Sequence, residues 1–183
     1  AARPVRPIRV LLGDDDTRVR TGFRMGLAAQ EGVEVGGEAA DGRIGLDMSR
    51  RLAPDGVLMD VRMPHTDGIA ATRLIVDECP QSRVIVLTTF DLDEYAFAAL
   101  RAGASGFLLK DVGPVELLAS IRAVAGGDAA ISSRVSRRMR ELFSQRLPSG
   151  PSSGGPEALA HLPPRESEVL SASAAGLSLA EIA

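Results

Sequence analysis

Five residues in this chain could together handle phosphorus chemistry, and each stands at the end of a short apolar run. Asp14 and Asp15 follow residues 8–12, Asp60 follows Val57-Leu58-Met59, Thr88 lies near the end of residues 83–89, and Lys110 follows Phe107-Leu108-Leu109. A carboxylate directly after a core run is poor packing material. Singly, such an Asp also fits a loop cap; the argument rests on all five falling at matching ends. Three carboxylates brought together repel, so some protonate unless a cation sits among them. Oxygen-only ligands with room for water suit Mg²⁺. A carboxylate beside a divalent cation and a lysine can attack phosphorus while the cations neutralise charge on the transferring group. The Thr88 hydroxyl can then bond to the newly attached phosphoryl oxygens.

For these residues to meet, the runs must be neighbouring strands that point the same way. Short apolar runs at 8–12, 33–36, 57–60, 83–89 and 106–110 read as strands buried on both faces. Between and after them, helical patterns fill residues 18–30, 42–52, 68–78, 93–102 and 114–125. Pro54 ends the second helix, Pro64 closes off the third strand, and Pro114 opens the last helix. Strand–helix alternation of this kind gives an α/β domain, a doubly wound five-stranded parallel sheet, expected over residues 6–127. In the order 2-1-3-4-5, strands 1 and 3 meet at the switch point, where such sheets bind ligands outside their carboxyl ends. That order brings Asp14, Asp15 and Asp60 together.

The whole chain bounds the remaining classes. Its 183 residues fit one domain and a small second piece. At net charge −3, with 45% hydrophobic and 25% charged residues, it has no general pull toward nucleic acid or anionic lipid. Its single cysteine, Cys79, suits a reducing, cytoplasmic setting and reads as a small apolar helix residue. No apolar run approaches the ~18–20 residues that cross a bilayer. Residues 1–7 read as a frayed terminus.

The stretches LLGDDD, VLMDVRMPHTDG, VIVLTT and GASGFLLKD resemble a response-regulator receiver domain, over roughly residues 8–127. The resemblance implies Asp60 as phosphoacceptor and Asp15 as direct Mg²⁺ ligand. It implies Asp14 as a ligand acting largely through water, and the main-chain carbonyl of Arg62 as a further ligand. Thr88 and Lys110 would contact the phosphoryl group. Phe107 falls at the family's switching aromatic, here without a hydroxyl. Asp16 is expected to be solvated or to cap a helix. Arg62 and Phe90 would rim the site and tune the phosphoaspartate lifetime, with exposed loop residues as the bland alternative. A sensor histidine kinase and a homodimer formed on phosphorylation are the implied partners. Such a receiver catalyses only its own phosphorylation and dephosphorylation and is not otherwise an enzyme.

The tail changes character. Residues 128–157 read as a linker, with a helix over 132–147 and then the flexible PSGPSSGGP. The helix has an apolar stripe of Val135, Met139, Leu142 and Phe143. Arg134, Arg137, Arg138 and Arg140 form a solvated face or a basic approach to phosphates. Residues 158–183 (within them LPPRESEVLSASAAGLSLAEIA) resemble the opening of a LuxR-type helix-turn-helix of the NarL branch. Pro163 stands where that family usually has a capping Thr. The expected reader is incomplete: promoter DNA would be read by a recognition helix that this chain does not include. Three readings compete with a transcription regulator: a phosphotransfer intermediate, a regulator never phosphorylated, and an Asp-nucleophile phosphatase. The helix-turn-helix resemblance opposes the first, and the full acid–Thr–Lys set the second. Arg62, standing where a phosphatase has its second acid, opposes the third.

Overall fold

The computed structural model describes residues 5–89 and 95–146. Strands β1 (Ile8–Gly13), β2 (Val33–Ala39), β3 (Gly56–Asp60), β4 (Arg83–Thr88) and β5 (Gly106–Leu109) alternate with helices α1 (Thr17–Ala28), α2 (Gly42–Leu52), α3 (Gly68–Glu78), α4 (Tyr95–Arg101) and α5 (Pro114–Ala125). A short strand β6 (Ala130–Ile131) and helix α6 (Ser133–Arg146) follow. The sheet is parallel with order β2-β1-β3-β4-β5-β6. It is the expected doubly wound sheet with one strand more.

The period-2 alternation of the strands sorts their side chains into two cores. Leu11, Val57, Met59, Val84, Val86 and Phe107 pack with Leu46 of α2, Ile75 of α3, Ala99 of α4 and Val135 of α6. Val10, Leu12, Leu58, Ile85, Leu87 and Leu108 pack on the other face with Leu27 of α1 and Leu117, Ile121 and Val124 of α5. Cys79 is buried among the first set, as expected of a small apolar side chain, and burial raises its thiol pKa, with Glu78 adding to the shift.

Helix starts follow their sequence signals. Asp16, Asp41 and Asp67 each accept a main-chain N–H from the first turn of α1, α2 and α3, from Arg18, Ile44 and Ala70 respectively. Pro114 opens α5. Gly68 at the start of α3 has a different task. A Cβ there would overlap the Asp60 carbonyl oxygen, so only glycine lets α3 come this close to the end of β3.

The sixth strand departs from the expected five. Gly127, at φ +94°, turns the chain after α5, and Ala130 and Ile131 then pair with Gly106 and Phe107 of β5. Two residues carry no readable periodicity, which is why the sequence does not announce β6. Helix α6 then turns its stripe inward: Val135 is fully buried, Leu142 is buried, and Met139 packs on the same core. Phe143 stays 58% exposed but meets Phe97 of α4 edge-on, ring centroids 5.6 Å apart. Residues 128–146, read from the sequence as part of a linker, thus extend the sheet and its core. Of the arginines on the outer face, Arg134 pairs with Asp111 at 3.0 Å and Arg138 with Glu141 at 3.2 Å, both exposed. The Pro/Gly/Ser stretch and the helix-turn-helix start at 158–183 lie outside the described residues. Among the described residues no helix is long and apolar enough to cross a membrane.

Candidate functional site

The register of the sheet assembles the site. Gly13 pairs with Met59, so the next residue on each strand, Asp14 and Asp60, lies side by side at the carboxyl edge. Asp60 pairs with Leu87, which puts Thr88 one step beyond on the neighbouring strand. Thr88 pairs with Leu109, and the Lys110 N–H donates to the Thr88 carbonyl at 2.7 Å. The five residues therefore arrive from four neighbouring strand ends, with Asp14 and Asp15 both following β1.

The Lys110 ammonium lies 2.8 Å from Asp14 Oδ2 and 3.0 Å from Asp60 Oδ2. Asp14 and Asp60 are 2% and 3% exposed, whereas Asp15 faces solvent. One carboxylate oxygen from each of Asp14, Asp15 and Asp60 falls within a 4.8 Å group. The outer oxygens are already engaged: the Asp16 N–H donates to Asp14 Oδ1 at 2.9 Å, and the Arg62 N–H donates to Asp60 Oδ1 at 3.2 Å. Asp14 Oδ2, close to the ammonium, receives no well-directed hydrogen bond. A buried carboxylate oxygen left in that condition, beside two more carboxylates, fits a hard divalent cation. Asp15 and Arg62 also line one cleft of about 490 Å³ with Met63, Pro64 and Asp67.

The electrostatics follow from burial. Desolvation pushes the Asp60 carboxyl above its ordinary range, and the charge of Asp14 adds to this. The Lys110 ammonium and the Arg62 N–H pull the other way without cancelling it. For Lys110 the balance reverses: burial lowers its pKa, but bonds to Asp14 and Asp60 outweigh burial and raise it. The lysine is thus held charged against two carboxylates, one of which is strained in its ionised form.

Thr88 is buried, 3% exposed, and Phe107 is completely buried beneath α4 and α6. Asp16 caps α1, as the sequence suggested for the third acid of the turn. Phe90 lies outside the described residues. Sequence reasoning passed over Arg20. Its Nη1 donates to the Asp14 carbonyl at 2.6 Å and its Nη2 to Thr17 Oγ1 at 3.2 Å, so it braces the acid turn from the first helix. No side-chain pattern in the sequence marks these partners, a main-chain carbonyl and a hydroxyl.

Comparison with known proteins agrees with this geometry. The family model for the response regulator receiver domain matches residues 10–122. The uncharacterized transcriptional regulatory protein YxjL of Bacillus subtilis (strain 168) is 40% identical over 176 residues, covering 96% of this chain and 79% of the relative. A LuxR-family two-component response regulator from Aurantimonas sp. SI85-9A1 superposes with TM-score 0.69 at 34% identity, covering 76% of this chain and 98% of that one. A structure of two RcsB dimers bound to two parallel DNAs gives TM-score 0.69 at 28% identity, over 96% of this chain and 81% of that one. Sheet order, the converging acids and lysine, and these likenesses lead to one assignment: the chain belongs to the response regulators of two-component systems, with a receiver domain and relatives among the NarL/LuxR-type transcriptional regulators.

Proposed function

We propose that Asp60 is the phosphoacceptor of this response regulator, that a partner sensor histidine kinase is the donor in the cytoplasm, and that Mg²⁺ is required. Phosphorylation then switches dimerisation and DNA binding to control transcription. One observation carries the reading: the buried Asp60 carboxylate ends β3 with its Oδ2 3.0 Å from the Lys110 ammonium and Asp14 and Asp15 alongside.

Asp60 Oδ2 attacks the phosphorus of a phosphohistidine. The new O–P bond replaces the P–N bond, whose electron pair leaves with the imidazole. Lys110 is freed from Asp60 Oδ2 to bond a phosphoryl oxygen, keeping its partner Asp14. The cation, held by Asp14, Asp15, Asp60 and the Arg62 main-chain carbonyl, would supply neutralisation of charge on the transferring group. The Thr88 hydroxyl turns toward the attached group. Phe107, two positions along the paired strand, follows into the vacated space and changes the surface under α4. The chain acts on its own carboxylate and turns over no separate substrate, so it is a switch rather than an enzyme. The DNA-binding role rests on the helix-turn-helix resemblance of residues 158–183 and on the DNA-bound RcsB dimers to which the chain is similar.

The test is intact mass after incubation with acetyl phosphate and Mg²⁺. Wild type gains the mass of one HPO₃, whereas Asp60→Asn and wild type in excess chelator do not. A full adduct in either control would sink the assignment.

A further inference from the structure

The acid turn poses a problem that Lys110 does not solve. Lys110 reaches the carboxylates from the β5 side, at Oδ2 of Asp14 and of Asp60. The direction in which Asp14 and Asp15 point depends on the main chain between β1 and α1. Two bonds within the turn act on it, from the Asp16 N–H to Asp14 Oδ1 and from the Arg18 N–H to Asp16 Oδ1. The Asp14 N–H is fixed to the Ala39 carbonyl at 3.0 Å. The Asp14 carbonyl is fixed by Arg20, whose second prong holds Thr17 at the first position of α1. The guanidinium is planar, so the two contacts set both the distance and the angle between the turn and the helix.

Holding Arg20 there has a cost. Its Nε–H is buried without a hydrogen-bond partner. A buried donor left in that state is rare in folded proteins and unfavourable. Arg20 could relieve it by swinging outward, at the expense of both bonds to the turn. The conformation retained is the one that fixes the Asp14 carbonyl.

We propose that Arg20 is a positioning residue for the divalent cation: it braces the acid turn so that Asp14 and Asp15 present their oxygens toward Asp60. The inference rests on the proposed Mg²⁺-dependent phosphorylation and adds a residue to its supporting shell. A brace and a bare charge predict opposite signs. As a charge, Arg20 repels a nearby cation, so Arg20→Met would tighten Mg²⁺ binding and Arg20→Lys would leave it unchanged. As a brace, both variants lose the fork and weaken binding. Outer-shell partners of metal ligands are commonly worth about tenfold or more in affinity.

The measurement is calorimetric titration of the whole chain with MgCl₂, for wild type, Arg20→Lys and Arg20→Met. A parallel acetyl phosphate assay follows the Mg²⁺ concentration at half-maximal labelling separately from the plateau. The expected result is about tenfold weaker Mg²⁺ binding in both variants, with the labelling midpoint shifted equally and the plateau restored at saturating Mg²⁺. Unchanged binding, tighter binding in Arg20→Met, or a lowered plateau at an unshifted midpoint overturns the brace. If Arg20→Met does not fold in chelator, Thr17→Val, which removes one prong, takes its place and is expected to give a smaller shift of the same sign. Wild type that neither binds Mg²⁺ nor becomes labelled overturns the phosphorylation reading and this inference with it. Wild type that does both, with variants that match it, overturns this inference alone.

Discussion

Removing the charge of Asp60 should stabilise the receiver in the absence of a divalent cation. Its Oδ2 lies 3.0 Å from the Lys110 ammonium, an attraction of about 5 kcal/mol at an effective dielectric of about 20. Repulsion from Asp14, one of whose carboxylate oxygens is within 4.8 Å, opposes it with about 3.5 kcal/mol or more on the same scale. Desolvation of a carboxylate only 3% exposed costs several kcal/mol more, so the sum is slightly unfavourable. The raised Asp60 pKa, caused first by burial, has the same sign. A carboxyl that holds its proton more tightly folded than unfolded favours the folded state at low pH. That contribution fades as pH rises through the folded pKa, and at neutral pH the ionised form is a net cost. Asp60→Asn keeps the shape, leaves Asp14 with Lys110, and is expected to gain about 1–2 kcal/mol in chelator. Mg²⁺ narrows that difference. A tenfold excess over its dissociation constant adds about 1.4 kcal/mol to wild type and less to the variant, which has lost one ligand. Urea unfolding followed by far-ultraviolet circular dichroism, in chelator and in MgCl₂, reads both effects. The reasoning fails if Asp60→Asn is the less stable protein in chelator, or if Mg²⁺ stabilises both proteins equally.

Three further outcomes follow from other contacts. Lys110→Met leaves Asp14 and Asp60 adjacent with no counter-charge, so it should lose about 3 kcal/mol in chelator and recover part of that in Mg²⁺; a variant as stable as wild type without the cation would contradict the ion pairs. Val135→Ala should cost about 1–2 kcal/mol in urea unfolding, because that side chain is fully buried beneath the sheet; a cost near zero would return α6 to the status of a linker. Gly68→Ala should lower stability and the rate of acetyl phosphate labelling together, since its Cβ would overlap the Asp60 carbonyl and displace the end of β3; unchanged labelling at reduced stability would separate α3 from the site.

What the sequence made legible was whatever repeats or punctuates. Apolar runs ending in Asp14, Asp60, Thr88 and Lys110 fixed both the strands and the edge at which chemistry gathers, because side chains one step past paired residues must be neighbours. Asp16 could be read as a cap because a helical pattern starts directly after it. Arg20 could not, since its partners are a carbonyl and a hydroxyl that no side-chain pattern advertises. The sixth strand was hidden for a related reason: its two residues pair through main-chain atoms. Yet those atoms reach the residue expected to switch. The Ser132 N–H donates to the Phe107 carbonyl at 3.2 Å, and Ser132 Oγ accepts the Val135 N–H at the start of α6. Val135 then packs into the same core as the Phe107 ring. On the adjoining side, Arg134 of α6 pairs with Asp111, the residue after Lys110. Main chain and core therefore tie α6 to β5 at Phe107, and an ion pair ties it to Asp111 just beyond Lys110. Under the proposed switch, a displacement of Phe107 would act on α6 through the Ser132 bond to its carbonyl and through the core it shares with Val135.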